Sequence, residues 1–182
     1  YLPAGLVLTY ARSEDPQPPD EPWREDFDGV VCFLDVSGFT ALSQKLREDH
    51  GESGAELLNT YVNAYFELLI DSLSEHGGDV IKFAGDALQV VWRSQRGDQD
   101  GLPEQVLRAS TCCLDMLKEL NEFSPVPGVV LKLHMGIGAG RVSAFCVGGW
   151  KQKWEYFISG EPVVAKPHRH RLPSARPHRL CA

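Results

Sequence analysis

From His76 to Trp92 the chain reads HGGDVIKFAGDALQVVW, and within these residues its apolar period changes. Upstream, Leu57, Leu58, Tyr61, Val62, Tyr65, Leu68, Leu69 and Leu73 recur at helical spacing until Gly77-Gly78 stops them. Downstream, Val80, Phe83, Ala87, Gln89 and Val91 fall into two short runs of strand period, with Ala84-Gly85-Asp86 as the tight connection. A helix that runs into a β-hairpin needs a sheet for both to pack on. The hairpin also places an acid, Asp86, at its tip. An aspartate there can serve simply as a turn former, because its side chain hydrogen-bonds its own backbone.

The remaining elements follow from the same two periods. Residues 11–26 are rich in proline and acid and read as an irregular lead-in, so residues 1–27 precede the first expected element. GVVCFLDV, after Asp28, is a nearly continuous apolar run that fits a buried strand. SGFTALSQKLRED then turns helical, with Phe39, Leu42 and Leu46 on one face. Ser53-Gly54-Ala55-Glu56 has the capping-box pattern and opens the second helix. Pro103 sits where a first-turn proline is tolerated, and Val106, Leu107, Cys113, Leu114, Leu117 and Leu120 mark a third helix that Pro125 and Pro127 end. VVLKLHMGIGAG and RVSAFCVGG read as two strands joined at Ala139-Gly140, and WEYFISG as one more. Strand, helix pair, hairpin, helix and hairpin make an α+β fold, a ferredoxin-like sandwich with helices on one side of a mostly antiparallel sheet. GIGAG is no dinucleotide fingerprint, because it leads into a strand and not a helix.

Charge narrows the function. The 182 residues carry a formal net charge of −7, yet residues 164–182 hold Lys166, Arg169, Arg171, Arg176 and Arg179 and no acid. The preceding body therefore stands at −12, from 13 basic and 25 acidic residues. Such a surface is a poor nucleic-acid binder, and if it handles phosphates, metal cations must neutralise them. No apolar run approaches a membrane span, and the opening residues lack the pattern of a secretory signal, so a cytosolic location is expected. Cys32, Cys112, Cys113, Cys146 and Cys181 show no C-x-x-C spacing and read as reduced thiols, not as a disulfide or zinc framework.

Chemistry concentrates at Asp35 and Asp86. Asp35 ends the first strand, and Ser37, Gly38, Phe39 and Thr40 begin the helix after it, where free backbone N–H groups favour phosphate. An N-cap role would explain Asp35 alone. Beside the first strand in such a sheet lies the hairpin, so its tip carboxylate would converge with Asp35 near the phosphate cradle, the arrangement that holds divalent ions on a triphosphate. Asp79, after Gly78, reads as a turn residue.

FLDVSGFTAL followed by GGDVIKFAGDAL resembles the catalytic domain of the class III nucleotidyl cyclases, and within them the first catalytic domain of the bicarbonate-responsive soluble adenylyl cyclases. LPAGLVLTY, DFDGVVCFLDV, ALQVVWR and HMGIGAGRVS extend the likeness from about residue 2 to Val163. The resemblance implies one catalytic domain over residues 28–163 that converts ATP to 3′,5′-cyclic AMP when paired with a second cyclase domain. It implies two divalent ions (Mg²⁺, with Mn²⁺ or Ca²⁺ as alternatives) held by Asp35, Asp86 and the main-chain carbonyl of Val36. It also implies that Lys82 helps hold bicarbonate; read from the residues alone, an inward lysine on a short strand is a salt-bridge partner. A diguanylate cyclase fits less well, since the tip here carries Ala84-Gly85-Asp86 and SGFT matches the class III pattern.

Two departures from that pattern stand out. His134 occupies a position where these cyclases carry a lysine directed at the nucleotide phosphates. After Val163, Pro167, Pro173 and Pro177 interrupt what the family builds as an amphipathic helix, leaving residues 164–182 a basic tail unlike the family. The arginine that usually accompanies the bicarbonate lysine, and the asparagine and arginine that complete a self-sufficient site, are not found here. The sequence therefore reads as the metal-binding half of a cyclase, inactive alone, or as a nucleotide-binding regulatory module.

Overall fold

The computed structural model describes residues 3, 6–7, 21–94 and 101–164. Its elements in chain order are β1 (Trp23–Ser37), α1 (Phe39–His50), α2 (Gly54–Glu75), β2 (Asp79–Ala84), β3 (Ala87–Arg93), α3 (Gly101–Glu119), β4 (Lys132–Gly148), β5 (Trp154–Gly160) and the single turn α4 (Glu161–Val164). The five strands form one antiparallel sheet in the order β2-β3-β1-β4-β5. This is the expected α+β sandwich. Residues 165–182 of the tail and 1–2, 4–5 and 8–20 of the lead-in lie outside the described residues.

Alternation along β1 divides the core. Val30, Cys32, Leu34 and Val36 face α2 and α3, where they meet Tyr65, Leu69, Leu73, Trp92, Cys112 and Met116. Phe27 and Val31 point to the opposite face and join Ile81, Val91, Val142, Ala144 and Ile158. Because that second cluster takes Ile81 from β2 and Ile158 from β5, the sheet curls until its two edge strands approach each other across it. A third cluster, Leu42, Leu46 and Val129 with Leu57 and Tyr61, fastens α1 to α2.

The junction of α2 and β2 follows the sequence closely. Gly77 takes φ 74°, Gly78 N–H donates to Leu73 O at 2.8 Å, and Trp92 Nε1–H donates to His76 O at 3.0 Å. A Cβ on Gly78 would stand 2.8 Å from the Trp92 ring, so the residue that ends the helix also lets the hairpin close on it. The turn of that hairpin is two residues, Gly85 at φ 67° and Asp86, between the paired Ala84 and Ala87.

Four local readings are corrected. β1 starts at Trp23, five residues ahead of Asp28, because Trp23–Asp28 pair with Arg141–Cys146. Ser53 makes no capping hydrogen bond; a 3₁₀ turn over Gly51–Ser53 runs straight into α2 and gives Ser53 helical angles, where a cap needs an extended backbone. There is no turn at Ala139-Gly140, since β4 runs unbroken from Lys132 to Gly148. The glycines there serve close approach: a Cβ on Gly138 would come within 3.0 Å of Pro162 O in α4. Asp79 is the first residue of β2, opposite Val91, and not part of the preceding turn.

α3 is rotated from its expected orientation. Gln105, Ala109, Cys112, Cys113 and Met116 are buried against the sheet, while Leu107 and Leu114 are 67% and 66% exposed. Small and flexible side chains let the helix lie close to β1, so the leucines mark the wrong face. Cys32 Sγ and Cys113 Sγ approach to 3.9 Å as free thiols; the bond to Cys113 and burial hold the Cys32 thiol well above the usual range, and burial pushes Cys112 up to about 12. No described helix is long and apolar enough to cross a membrane. The rotation has a direct check in equilibrium denaturation: Met116→Ala should cost about 2–5 kcal/mol, whereas Leu114→Gln should change stability by less than about 0.5 kcal/mol.

Candidate active site

β1 carries its final residues past the helix-covered core, and its two neighbours arrive in register there. Asp35 lies opposite Ala87 of β3 on one side and His134 of β4 on the other. The Val36 N–H donates to the main-chain oxygen of Asp86 at 3.3 Å, which ties the hairpin tip to the end of β1. Asp35 and Asp86 are thus brought together by main-chain bonding. Both are exposed, and neither makes an ion pair among the described residues.

Gly38 then turns the chain into α1. It has φ 112° and a Cβ there would stand 2.6 Å from Val130 O, so both its backbone angle and its surroundings exclude a side chain. Leu42 N–H donates to Gly38 O at 3.0 Å, which leaves the N–H groups of Phe39, Thr40 and Ala41 as the open donors of the first turn. No acidic side chain lies in that turn and no side chain caps it. Asp35 is therefore not the helix cap, and the helix start keeps its capacity for an anion. Ser37 Oγ and His134 Nε2 lie 3.2 Å apart at the rim. A cavity of about 640 Å³ flanks α1 here, bordered by Phe39, Thr40 and Arg47.

Lys82 is not the inward, ion-paired lysine expected from the strand pattern. A bulge leaves Ile81 as the extra residue between the Val80–Val90 and Lys82–Gln89 pairs. Ile81 fills the buried place, 6% exposed, and Lys82 is exposed without an ion-pair partner among the described residues. The register nevertheless puts Lys82, Gln89, Phe33 and Gly136 in one row across four strands, on the face of Asp35 and one same-face step from it. Phe33, Gln89 and Gly136 carry no motif. Only pairing reveals them as neighbours of the acids.

The donor set suits a shared cation. Two exposed carboxylates and a main-chain carbonyl are too few for a closed protein cage, and nowhere among the described residues, this site included, do three or more His, Cys, Asp or Glu gather. Magnesium-type sites take one or two carboxylates and complete their shell with water and substrate phosphates, and open phosphate donors lie at the adjoining helix start. The residues present fit that chemistry.

Residues 25–166 match the family model for the adenylate and guanylate cyclase catalytic domain. The chain belongs to that family. It is 33% identical over 133 residues to human adenylate cyclase type 10, covering 71% of this chain and 8% of the human protein. The rabbit counterpart is 31% identical over 146 residues, 80% of this chain and 9% of that protein. The cyclase domain therefore spans a small part of the length of the curated relatives it matches. Among solved structures, the adenylyl cyclase CyaB from P. aeruginosa superposes with a TM-score of 0.59 at 24% identity, over 78% of this chain and 69% of that one. The dimeric guanylyl cyclase domain of the RhoGC fusion protein from Blastocladiella emersonii gives 0.56 at 21%, over 76% and 71%. These two likenesses establish the cyclase catalytic fold.

Gly38 is the test of this cyclase domain's local geometry. Gly38→Ala should lower its stability by about 1–3 kcal/mol through the left-handed backbone alone, measured as a fall in the denaturation midpoint. Gly51→Ala, also at positive φ but with nothing within 4 Å of the added carbon, should cost less.

Proposed function

We propose that this chain is the metal-binding half of an adenylyl cyclase, converting ATP to 3′,5′-cyclic AMP and pyrophosphate when paired with a second cyclase domain. The observation that carries the reading is the Val36–Asp86 main-chain hydrogen bond, which anchors the backbone of two acids, without ion-pair partners among the described residues, beside an uncapped helix start. The curated relatives, named as adenylate cyclases, favour ATP over GTP.

In this reading Asp35, Asp86 and the carbonyl of Val36 hold two divalent ions, Mg²⁺ or in its place Mn²⁺ or Ca²⁺. Such ions, when bound, lower the pKa of the ribose 3′-hydroxyl and neutralise the departing pyrophosphate. Ser37, Gly38, Phe39 and Thr40 receive the phosphates at the start of α1, and His134 adds a neutral or cationic contact beside Ser37 according to pH. The 3′-oxygen bonds to the α-phosphorus as the bond to the β-phosphate oxygen breaks. The second domain supplies purine recognition and the cation that stabilises the phosphoryl group in transfer. Lys82, in the row next to Asp35, is the residue for a bicarbonate anion. The reduced thiols and acidic body agree with a cytosolic setting and with no nucleic-acid partner. The catalytic domain then begins with β1 at Trp23, ahead of residue 28, and runs to residue 163, with the residues before it a lead-in and 164–182 an appended tail.

A second reading keeps nucleotide binding without turnover, as a regulatory module. It is favoured by His134, whose ring nitrogen is engaged with Ser37 where the family places a lysine. Single-turnover assays separate the two, since the module binds ATP in the presence of a second domain and forms no cyclic AMP.

Two outcomes test the main reading. In a complex with a soluble-cyclase second domain, Asp35→Ala or Asp86→Ala should lower turnover about 100-fold or more. The same variants should abolish the rise in thermal midpoint that Mn²⁺ with a non-hydrolysable ATP analogue gives the parent; full activity in either variant rejects the metal assignment. The chain by itself should turn over at background, because a positioned arginine is worth on the order of 10³ or more in phosphoryl transfer. Robust cyclic AMP formation by the purified chain alone would reject the half-site.

A further inference from the structure

A groove of about 540 Å³ runs between α2 and the outer edge of β2, adjoining the start of α1 where Phe39 stacks on Phe66 at 5.9 Å. Its floor is apolar, with Val62, Phe66 and Ile70 from the helix and Phe83 from the strand; Phe66 and Phe83 meet edge to face at 6.0 Å. Glu67 and Asp71 line it four residues apart on α2, both exposed and neither in an ion pair among the described residues. No lysine, arginine or histidine occurs anywhere between Gly54 and Glu75. The other grooves beside α1 differ in this respect, since Arg47 lines both. An aromatic floor whose rim carries two carboxylates and the neutral Asn63 suits an extended, proline-containing segment that carries arginines: the rings accept proline and guanidinium faces, and the carboxylates accept paired N–H donors.

The chain contains such a segment. Residues 165–182 read AKPHRHRLPSARPHRLCA, with three prolines, five lysines or arginines and no acid. We propose that this tail docks in the α2–β2 groove of its own chain, with Arg169 and Arg171 on Glu67 and Asp71. The spacing agrees for a β-extended stretch: residues 168–172 hold no proline, and two residues of strand advance about 6.6 Å and return to the same face, close to the ~6 Å that four helix residues span. The path is short. Val163, the last-but-one residue of α4, packs in the cluster that holds Ile81 of β2, two residues from Phe83. Arg169 and Arg171 follow Val164 by five and seven residues, a reach of about 16 and 22 Å in extended chain before their own side chains are added. Proline lowers the conformational entropy lost on docking, and the screened carboxylate pairs make the contact salt-dependent. This inference is independent of the cyclase reaction.

Trypsin cleavage of the Arg171–Leu172 bond provides the test, with the full chain compared against a synthetic peptide of residues 165–182. Cleavage in the chain should be about tenfold slower than in the peptide, since proteolysis follows the undocked population. The protection should be the same at all protein concentrations and lost in high salt. Glu67→Gln with Asp71→Asn, surface changes that leave the fold and its thermal midpoint intact, should restore the peptide rate. A peptide-like rate in the unmodified chain overturns the proposal, as does protection that survives the double substitution. Protection that grows with protein concentration also overturns it, by assigning the groove to a second copy.

Discussion

Val30, Val31, Cys32, Leu34 and Val36 each expose 1% or less of their surface, so the middle of the central strand is withdrawn from water on both faces. A strand in that position must satisfy its main-chain groups against neighbours, because each orphaned N–H or C=O would cost about 1–3 kcal/mol. β3 and β4 provide those partners along its length. Every other feature is located relative to this ladder. The helices lie on one face because Val30, Cys32, Leu34 and Val36 are apolar there, and the curl follows because Phe27 and Val31 on the other face are apolar too.

The same ladder sets the candidate site. Pairing continues to the last residue of β1, so Asp35 arrives with a fixed neighbour on each side and Asp86 is bonded to the strand by its own main chain. The backbone bonds fix where the two acids leave the main chain, so only their short side chains remain free to adjust. Gly38 then reverses the chain in an angle open to glycine, which aims the first turn of α1 at the same end of the sheet. The site is rigid because the core ends immediately beneath it, with Leu34, Val36 and Leu131 fully buried.

Lys82 and α3 show how local pattern and packing part company. On β2 the alternation Val80, Lys82 suggests a lysine facing the core, but one bulged residue changes which side chains share a face. On α3 the leucines trace a clear helical stripe, yet the sheet selects Ala109, Cys112 and Met116, which allow closer approach to β1. Neither outcome has a signal within its own segment. Bulges and helix rotations are settled by what stands opposite.

The sequence by itself determined the element types, the helix stop at Gly77-Gly78, the hairpin with Asp86 at its tip and the pairing of Asp35 with a helix start, because these depend on residues within a few positions of one another. It also contained the family likeness, since FLDVSGFT and FAGDAL are contiguous. Only the tertiary structure decided that β4 runs through Ala139-Gly140, that the glycines there make room for Pro162, and that Lys82, Gln89, Phe33 and Gly136 form one row beside the acids. Glycine can mean a turn or a close approach, and the choice rests on an atom that arrives from elsewhere in the chain, here from Pro162, 24 residues beyond Gly138.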